Sequence, residues 1–282
     1  MELNKIWVLG AGVMGCDLAL DLAIHKYKPV LYDISETQLE NAKKKIEQQF
    51  RLYKMLNPAI STTWEEIAEE LFYTDSLKNI SDAGLVIENI TENFNEKKNL
   101  YLNFAPLIND KTIVAANTSC IPIIKLGSFL RHPEKMVGTH FMNPVFLKKF
   151  VEVIKSRVTS DETVSEIISF LKSIEEKTAI VNDSPGFVSN RVLMLTINES
   201  IRTVEEGIAK PADVDKIFKL GFAHSMGPLA TADLIGLDTI MYSLQVLNDE
   251  FNDDKFKPCG LLVKMVEEGQ LGKKTGKGFF SY

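Results

Sequence analysis

A histidine and a glutamate in this chain have the types and spacing for proton chemistry. His140 ends the strand-like run Met136-Val137-Gly138-Thr139, and Glu152 lies inside the apolar run Phe150-Val151-Glu152-Val153-Ile154, beyond an Asn143-Pro144 turn. A carboxylate in such a run is expensive to bury unless something pairs with it, and His140 is a candidate partner. An imidazole oriented by a carboxylate works as a base near neutral pH, because one ring nitrogen is fixed and the other is left to take a proton. Spacing alone leaves a structural reading open and slightly ahead: an edge-strand glutamate facing solvent and a hydrogen-bonded core histidine. Ser119 follows the strand-like run Thr112-Ile113-Val114-Ala115-Ala116 and Asn117-Thr118. It can donate to a substrate oxygen, or equally cap the next helix. Asn190, after Pro185-Gly186-Phe187, opens a helix, where its amide can reach a ligand or satisfy the first turn.

The other stretch with chemical potential is a turn. Lys5-Ile6-Trp7-Val8-Leu9 runs straight into Gly10-Ala11-Gly12-Val13-Met14-Gly15, and a helical pattern with Leu18, Leu20, Leu22 and Ala23 follows. A strand, glycines in G-x-G-x-x-G spacing and a helix make a pyrophosphate cradle. Gly10 permits the tight turn, Gly12 lets backbone approach the ligand, and Gly15 lets the helix pack closely on the strand. Val13 and Met14 open the helix, whose N-terminal N–H groups and dipole favour bound negative charge. Pro29-Val30-Leu31-Tyr32 reads as the next strand and ends at Asp33. That is near the ~20-residue spacing at which an acid takes ribose hydroxyls, and its charge argues for NAD over NADP. The alternative is that Asp33 caps the helix beginning near Ser35-Glu36-Thr37, a task Ser35 can perform itself.

Strands and helices alternate behind these residues. After Asp33 comes a helix to about Leu56 and another over Thr63–Glu70. Strand-like runs follow at Leu71–Tyr73, Leu85–Glu88, Thr112–Ala116, Met136–Thr139, Phe150–Ile154 and Thr178–Val181. The alternation predicts an α/β fold, a Rossmann-like domain with a mostly parallel sheet whose last strands can run antiparallel. Asp183-Ser184-Pro185-Gly186 halts the pattern, which places one domain at 1–184 and a smaller all-helical one at 185–282. Its helices are expected at Asn190–Glu205, Pro211–Leu220, Asp233–Asn248 and Gly260–Glu268. With 282 residues, 45% hydrophobic and 25% charged, the chain is long enough for two cores. A net charge of -6 gives no footprint for nucleic acid. No stretch approaches the ~20 apolar residues of a membrane helix, and the early first strand leaves no room for a signal peptide. Cys16, Cys120 and Cys259 lack metal-like spacing and suggest a reducing cytoplasm, with no metal expected.

In combination these stretches resemble the short-chain 3-hydroxyacyl-CoA dehydrogenases, of the 3-hydroxybutyryl-CoA dehydrogenase type, over essentially the whole chain. The likeness rests on Val8–Gly15, Asn117-Thr118-Ser119, Gly138–Val145, Val151–Ile154, Ser184–Arg191, Met226–Leu229, Asp233–Asp238 and Gly272–Phe280. It implies an NAD-dependent oxidation of a 3-hydroxyacyl thioester, as in fatty acid metabolism, with His140 as base and Glu152 as its partner. Ser119 and Asn190 match positions that hold the hydroxyl and thioester oxygens. Glu92, Lys97 and Asn143 match positions close to the cofactor. The resemblance also implies that the helical domain makes a homodimer. One stretch departs from the pattern: where many relatives carry lysines that contact coenzyme A phosphates, this chain has Leu52-Tyr53-Lys54-Met55-Leu56-Asn57-Pro58-Ala59-Ile60, with Lys54 alone. Together with Cys120-Ile121-Pro122-Ile123 and Ala230-Thr231-Ala232, this resembles a subgroup acting on small glyceryl or seryl units carried by acyl carrier proteins in polyketide or nonribosomal peptide pathways. Lys43, Lys44, Lys45, Arg51 and Lys54 are then candidates to meet an acidic carrier. Two readings outside these are a non-catalytic relative, which loss of His140 or Glu152 would favour, and a flavin enzyme, which the small helical domain fits poorly.

Overall fold

The computed structural model describes residues 5–282, so residues 1–4 and the reading of the chain's start lie outside the described residues. The chain divides into two compact units, Met1–Ser184 and Pro185–Tyr282. In the first, chain order is β1 (Ile6–Leu9), α1 (Val13–Ile24), β2 (Val30–Tyr32), α2 (Glu36–Leu56), α3 (Trp64–Glu69), β3 (Phe72–Thr74), β4 (Leu85–Glu88), α4 (Phe94–Phe104), β5 (Ile113–Ala116), α5 (Ile123–Gly127), β6 (Met136–Phe141), β7 (Phe150–Lys155), α6 (Asp161–Ser173) and β8 (Lys177–Asn182). The strands form one sheet in the order β3-β2-β1-β4-β5-β6-β7-β8. Every pairing is parallel except β6 with β7. This is a Rossmann-like parallel sheet extended, through an antiparallel step from β6 to β7, by the parallel pair β7–β8.

Central strands β1, β4 and β5 are buried at every position, which is why they read as unbroken apolar runs rather than alternating ones. Their side chains meet Leu18 and Leu22 of α1 and Ile46 and Phe50 of α2 in one core. Helix α2 buries Leu39, Ala42, Ile46 and Phe50, the three-to-four spacing of one helical face. Ser35 caps it, accepting from the Gln38 N–H at 3.2 Å. A capping box of Thr63 and Glu66 starts α3.

The second unit is helical: α7 (Ser189–Glu205), α8 (Pro211–Lys216), α9 (Pro228–Ile235), α10 (Leu237–Phe251) and α11 (Gly260–Glu267). Its core joins Ile197, Ile201, Leu229, Ile240, Leu244 and Leu262. Two expected helices differ. The expected Asp233–Asn248 helix is two helices, because Gly236 takes φ +104°, outside the helical range, between α9 and α10. The expected Pro211–Leu220 helix is α8 followed by a wider π-type turn over Ile217–Gly221. Buried Asp233 ties the C-terminal segment down. Its carboxylate accepts from the N–H groups of Phe279 (3.0 Å) and Phe280 (2.9 Å) and from the Tyr282 hydroxyl (3.2 Å). A Cβ on Gly278 would stand 2.0 Å from an Asp233 oxygen, so the Gly272–Phe280 stretch is built around that carboxylate.

Candidate active site

Most of the expected site residues of the first unit gather at the C-terminal ends of β1, β2, β4, β5 and β6, where open α/β sheets bind ligands. The glycine turn connects β1 to α1. Gly10 has φ +101°, and a Cβ there would lie 2.9 Å from the Asn89 backbone. A Cβ on Gly15 would lie 1.8 Å from the Gly10 carbonyl oxygen, so only glycine lets α1 start this close to the strand. At Gly12 a Cβ would meet nothing within 4 Å. Its task is therefore not internal packing. Gly12 stands at the cap position of α1 with no side chain capping the helix, which leaves its first-turn N–H groups for an anion. Val13 and Met14 begin α1, as expected.

Asp33 is not the cap of α2. One carboxylate oxygen accepts from the Ala11 N–H at 2.9 Å and the other from the Ser35 N–H at 3.0 Å, which joins the end of β2 to the glycine turn. Gln38 adds a second tie, its amide donating to the Ala11 carbonyl at 2.9 Å. A cavity of about 480 Å³ opens here, lined among others by Gly10, Gly12, Asp33 and Asn89. Open space over Gly12, uncapped helix donors and a carboxylate beyond them suit a dinucleotide with free ribose hydroxyls.

His140 and Glu152 are directly opposite each other across the antiparallel pair β6–β7. His140 Nδ1 is 3.3 Å from Glu152 Oε2, and Nε2 is 3.4 Å from Ser119 Oγ. With Nδ1–H donating to the carboxylate, Nε2 keeps its lone pair and accepts from the Ser119 hydroxyl. Only 3% of the Glu152 side chain and 12% of the His140 side chain are exposed, so the pair is screened little by water. That geometry can remove a proton from a hydroxyl group and stabilise the imidazolium formed.

A second carboxylate shapes the Ser119 loop. Glu92 Oε1 accepts from the Thr118 hydroxyl (2.6 Å) and the N–H groups of Ser119 (2.9 Å) and Cys120 (2.8 Å). Glu92 Oε2 lies 3.7 Å from the Lys97 ammonium, which also donates to Glu88 Oε1 at 2.6 Å. Lys97 and Glu88 have no exposed side-chain surface. Burial raises the Glu88 carboxyl above its ordinary range, while Lys97 pulls the other way. Asn89 Oδ1 accepts from the Asn117 amide at 2.7 Å, and Asn117 Oδ1 accepts from the Phe141 N–H at 3.2 Å. This amide chain links the ends of β4, β5 and β6.

Of the remaining expected residues, Asn143 is exposed and precedes a cis peptide bond to Pro144. Lys54 keeps different company, donating from the last turn of α2 to the Thr62 carbonyl at 3.2 Å. Asn190 is the second residue of α7, in the other unit. Sequence reasoning missed Glu88, Asn89 and Asn117 as parts of the site. The signal for Glu88 was present, since a charge at the end of Leu85-Val86-Ile87 raises the same burial problem as Glu152. Among the described residues no cluster suits a metal, and no helix is long and apolar enough to cross a membrane.

A parallel sheet carrying a glycine turn, with an acid at the end of its second strand and a helical second unit, defines an NAD-dependent oxidoreductase. Residues 5–184 match the NAD binding domain of 3-hydroxyacyl-CoA dehydrogenase and residues 186–282 its C-terminal domain. The chain belongs to the 3-hydroxyacyl-CoA dehydrogenase family. It is 39% identical to a probable 3-hydroxybutyryl-CoA dehydrogenase of Bacillus subtilis, over 100% of this chain and 98% of that one. Among solved structures it is similar to FadB2 of M. tuberculosis (TM-score 0.94, 32% identity, 99% of both chains). It is also similar to the (S)-3-hydroxybutyryl-CoA dehydrogenase PaaH1 of Ralstonia eutropha (TM-score 0.93, 33% identity, 100% of this chain and 99% of that one).

Proposed function

We propose that this chain oxidises a short 3-hydroxyacyl thioester of coenzyme A to the 3-oxoacyl thioester, with His140 as the base. The observation that carries the reading is the His140 ring set between the Glu152 carboxylate at Nδ1 and the Ser119 hydroxyl at Nε2. The 3-hydroxybutyryl-CoA dehydrogenases it is similar to support the substrate class. NAD, when bound, supplies the acceptor for the hydride that leaves C3. Donors of the Gly10–Gly15 turn hold the pyrophosphate, and Asp33 holds the ribose hydroxyls. Glu92 and Asn143 serve the nicotinamide end. Lys97, fully buried, acts through Glu92. His140 Nε2 takes the proton of the substrate hydroxyl, and Glu152 opposes the positive charge that appears only as the proton moves, a stabilisation larger in the transition state than in the ground state. Ser119 and Asn190 hold the substrate's hydroxyl and thioester oxygens. In the reverse direction the same histidine returns the proton. The unit 185–282 is the dimerisation and substrate domain of a cytoplasmic homodimer.

One observation favours a second reading, an acyl carrier protein in place of coenzyme A. At the end of α2, Leu52, Met55 and Leu56 are 42%, 69% and 49% exposed, and Lys54, the one lysine among them, donates to the Thr62 carbonyl. Coenzyme A phosphates need fixed cations, and each charge-assisted bond is worth about 1.5–3 kcal/mol. A carrier's phosphopantetheine arm lacks the adenosine phosphates, and its acidic surface suits Lys43, Lys44, Lys45 and Arg51 on α2. The deciding experiment compares kcat/KM for one 3-hydroxyacyl group on coenzyme A and on a carrier protein. The coenzyme A reading expects efficient NADH formation from 3-hydroxybutyryl-CoA. A strong preference for the carrier-bound group would replace it with the second reading.

A further inference from the structure

The cavity beside the glycine turn continues past Asp33 to a wall of α4. That helix is pinned on its inner side by Tyr101 and Phe104, both fully buried, with ring centroids 5.0 Å apart. Its outer side turns Asn99 and Asn103 into the cavity. Residues four apart on a helix stand one above the other, so the two carboxamides form a single column. Beside them the lining is apolar, from Ile34, Ile90 and Leu100. Ile34 is 82% exposed, which leaves its side chain available to the face of a flat ligand. Gly12 and Asp33 lie on the same cavity, and the order pyrophosphate, ribose, base along a dinucleotide puts a purine beyond Asp33.

Resting on the NAD reading above, we propose that Asn99 and Asn103 read the adenine base, selecting its amino edge over the oxo edge of hypoxanthine. A purine is flat and apolar on its faces and polar on its edge, and the cavity offers the matching pair of surfaces. A carboxamide presents one donor and one acceptor side by side, the complement of adenine's ring nitrogen and amino group. At the N7 edge hypoxanthine replaces that amino donor with an acceptor oxygen, so both of its groups accept and neither orientation of the carboxamide satisfies them together. Glu96, on the same lining, adds negative charge that favours an amino group and disfavours an oxo group. Asp33 discriminates at the ribose; these asparagines discriminate at the base.

The test is calorimetric titration of the full-length protein with NAD and with nicotinamide hypoxanthine dinucleotide, needing no turnover. The wild type is expected to bind NAD more tightly by roughly tenfold or more, the worth of a bidentate amide contact. Asn99→Leu and Asn103→Leu, at exposed helix positions that keep the melting temperature, are expected to bring the two affinities within about threefold, since each removes such a contact. Asn103→Asp, which keeps the size but removes the donor, is expected to weaken both dinucleotides. Equal binding of the two by the wild type, or an undiminished preference in the double Leu variant, would overturn the assignment while leaving NAD use intact. Binding of neither dinucleotide would overturn the NAD reading, and this assignment with it.

Discussion

In the proposed reaction His140 and Glu152 divide one task. Replacing His140 by Gln keeps a hydrogen-bonding side chain but removes the base, and kcat is expected to fall by roughly 10²- to 10⁴-fold. Glu152→Gln keeps the shape and loses the charge, so kcat falls with thermal stability kept. Steady-state kinetics alongside a melting curve checks both, and near-normal turnover of the His140 variant would sink the mechanism. In the same reading Asp33 selects the cofactor: kcat/KM is expected to favour NAD over NADP in the wild type, and Asp33→Ala to narrow the gap. The variant also gives up the bond to the Ala11 N–H, so its NAD affinity drops as well. Only a candidate pairing of His140 with Glu152 was legible, because a carboxylate in an apolar strand needs a partner if buried, while spacing alone kept a solvent-facing edge glutamate slightly ahead. Which oxygen and nitrogen face each other was not. The answer lies in the register of β6 on β7, a tertiary fact.

At the scale of elements, the glycine turn separates folding from binding. Gly15→Ala would force a Cβ to within 1.8 Å of the Gly10 carbonyl, and is expected to destabilise the protein by about 1–3 kcal/mol as α1 is pushed from β1. Gly12→Ala meets open space at φ -73°, which alanine adopts readily. Its melting temperature should match the wild type while NAD affinity falls several-fold. Thermal melts paired with NAD titration distinguish the two, and a stable Gly15→Ala variant with normal affinity would refute the packing argument. Strand and helix order in the first unit could be read because the central strands are apolar but for Glu88 at the end of β4, with turns between them. The break at Gly236 escaped, since Leu237 and Ile240 continue the apolar pattern of Ala232 across it and only the backbone angle reveals the stop. Glu92 could be placed near the cofactor by resemblance, but its grip on the Ser119 loop is made across a separation of 27 residues that no local pattern encodes.

For the molecule as a whole, a group of buried acids behind α1 sets how stability responds to pH. Asp17 and Asp21 of α1 and Glu176 before β8 are 1%, 1% and 5% exposed, and Lys149 is the cation facing Asp21 and Glu176. Burial pushes Asp17 up to about 6 and Glu176 up to about 7, and raises Asp21. The native state therefore holds more protons than the unfolded chain between the ordinary carboxylate range and about 7. Stability is highest at the low end of that window, falls as pH rises through it, and levels off above. Melting temperatures are expected to be lower at about pH 8 than at about pH 5, and Asp17→Asn to flatten the slope. A melting temperature that climbs with pH would contradict the assignment. Chemical wear follows from a different buried charge. Thioesters acylate free amines, so an enzyme that handles them exposes its own lysines to slow, uncatalysed damage. Lys43 and Lys44 are exposed to such compounds on α2, whereas Lys97, sealed away with Glu88, keeps its amine out of their reach.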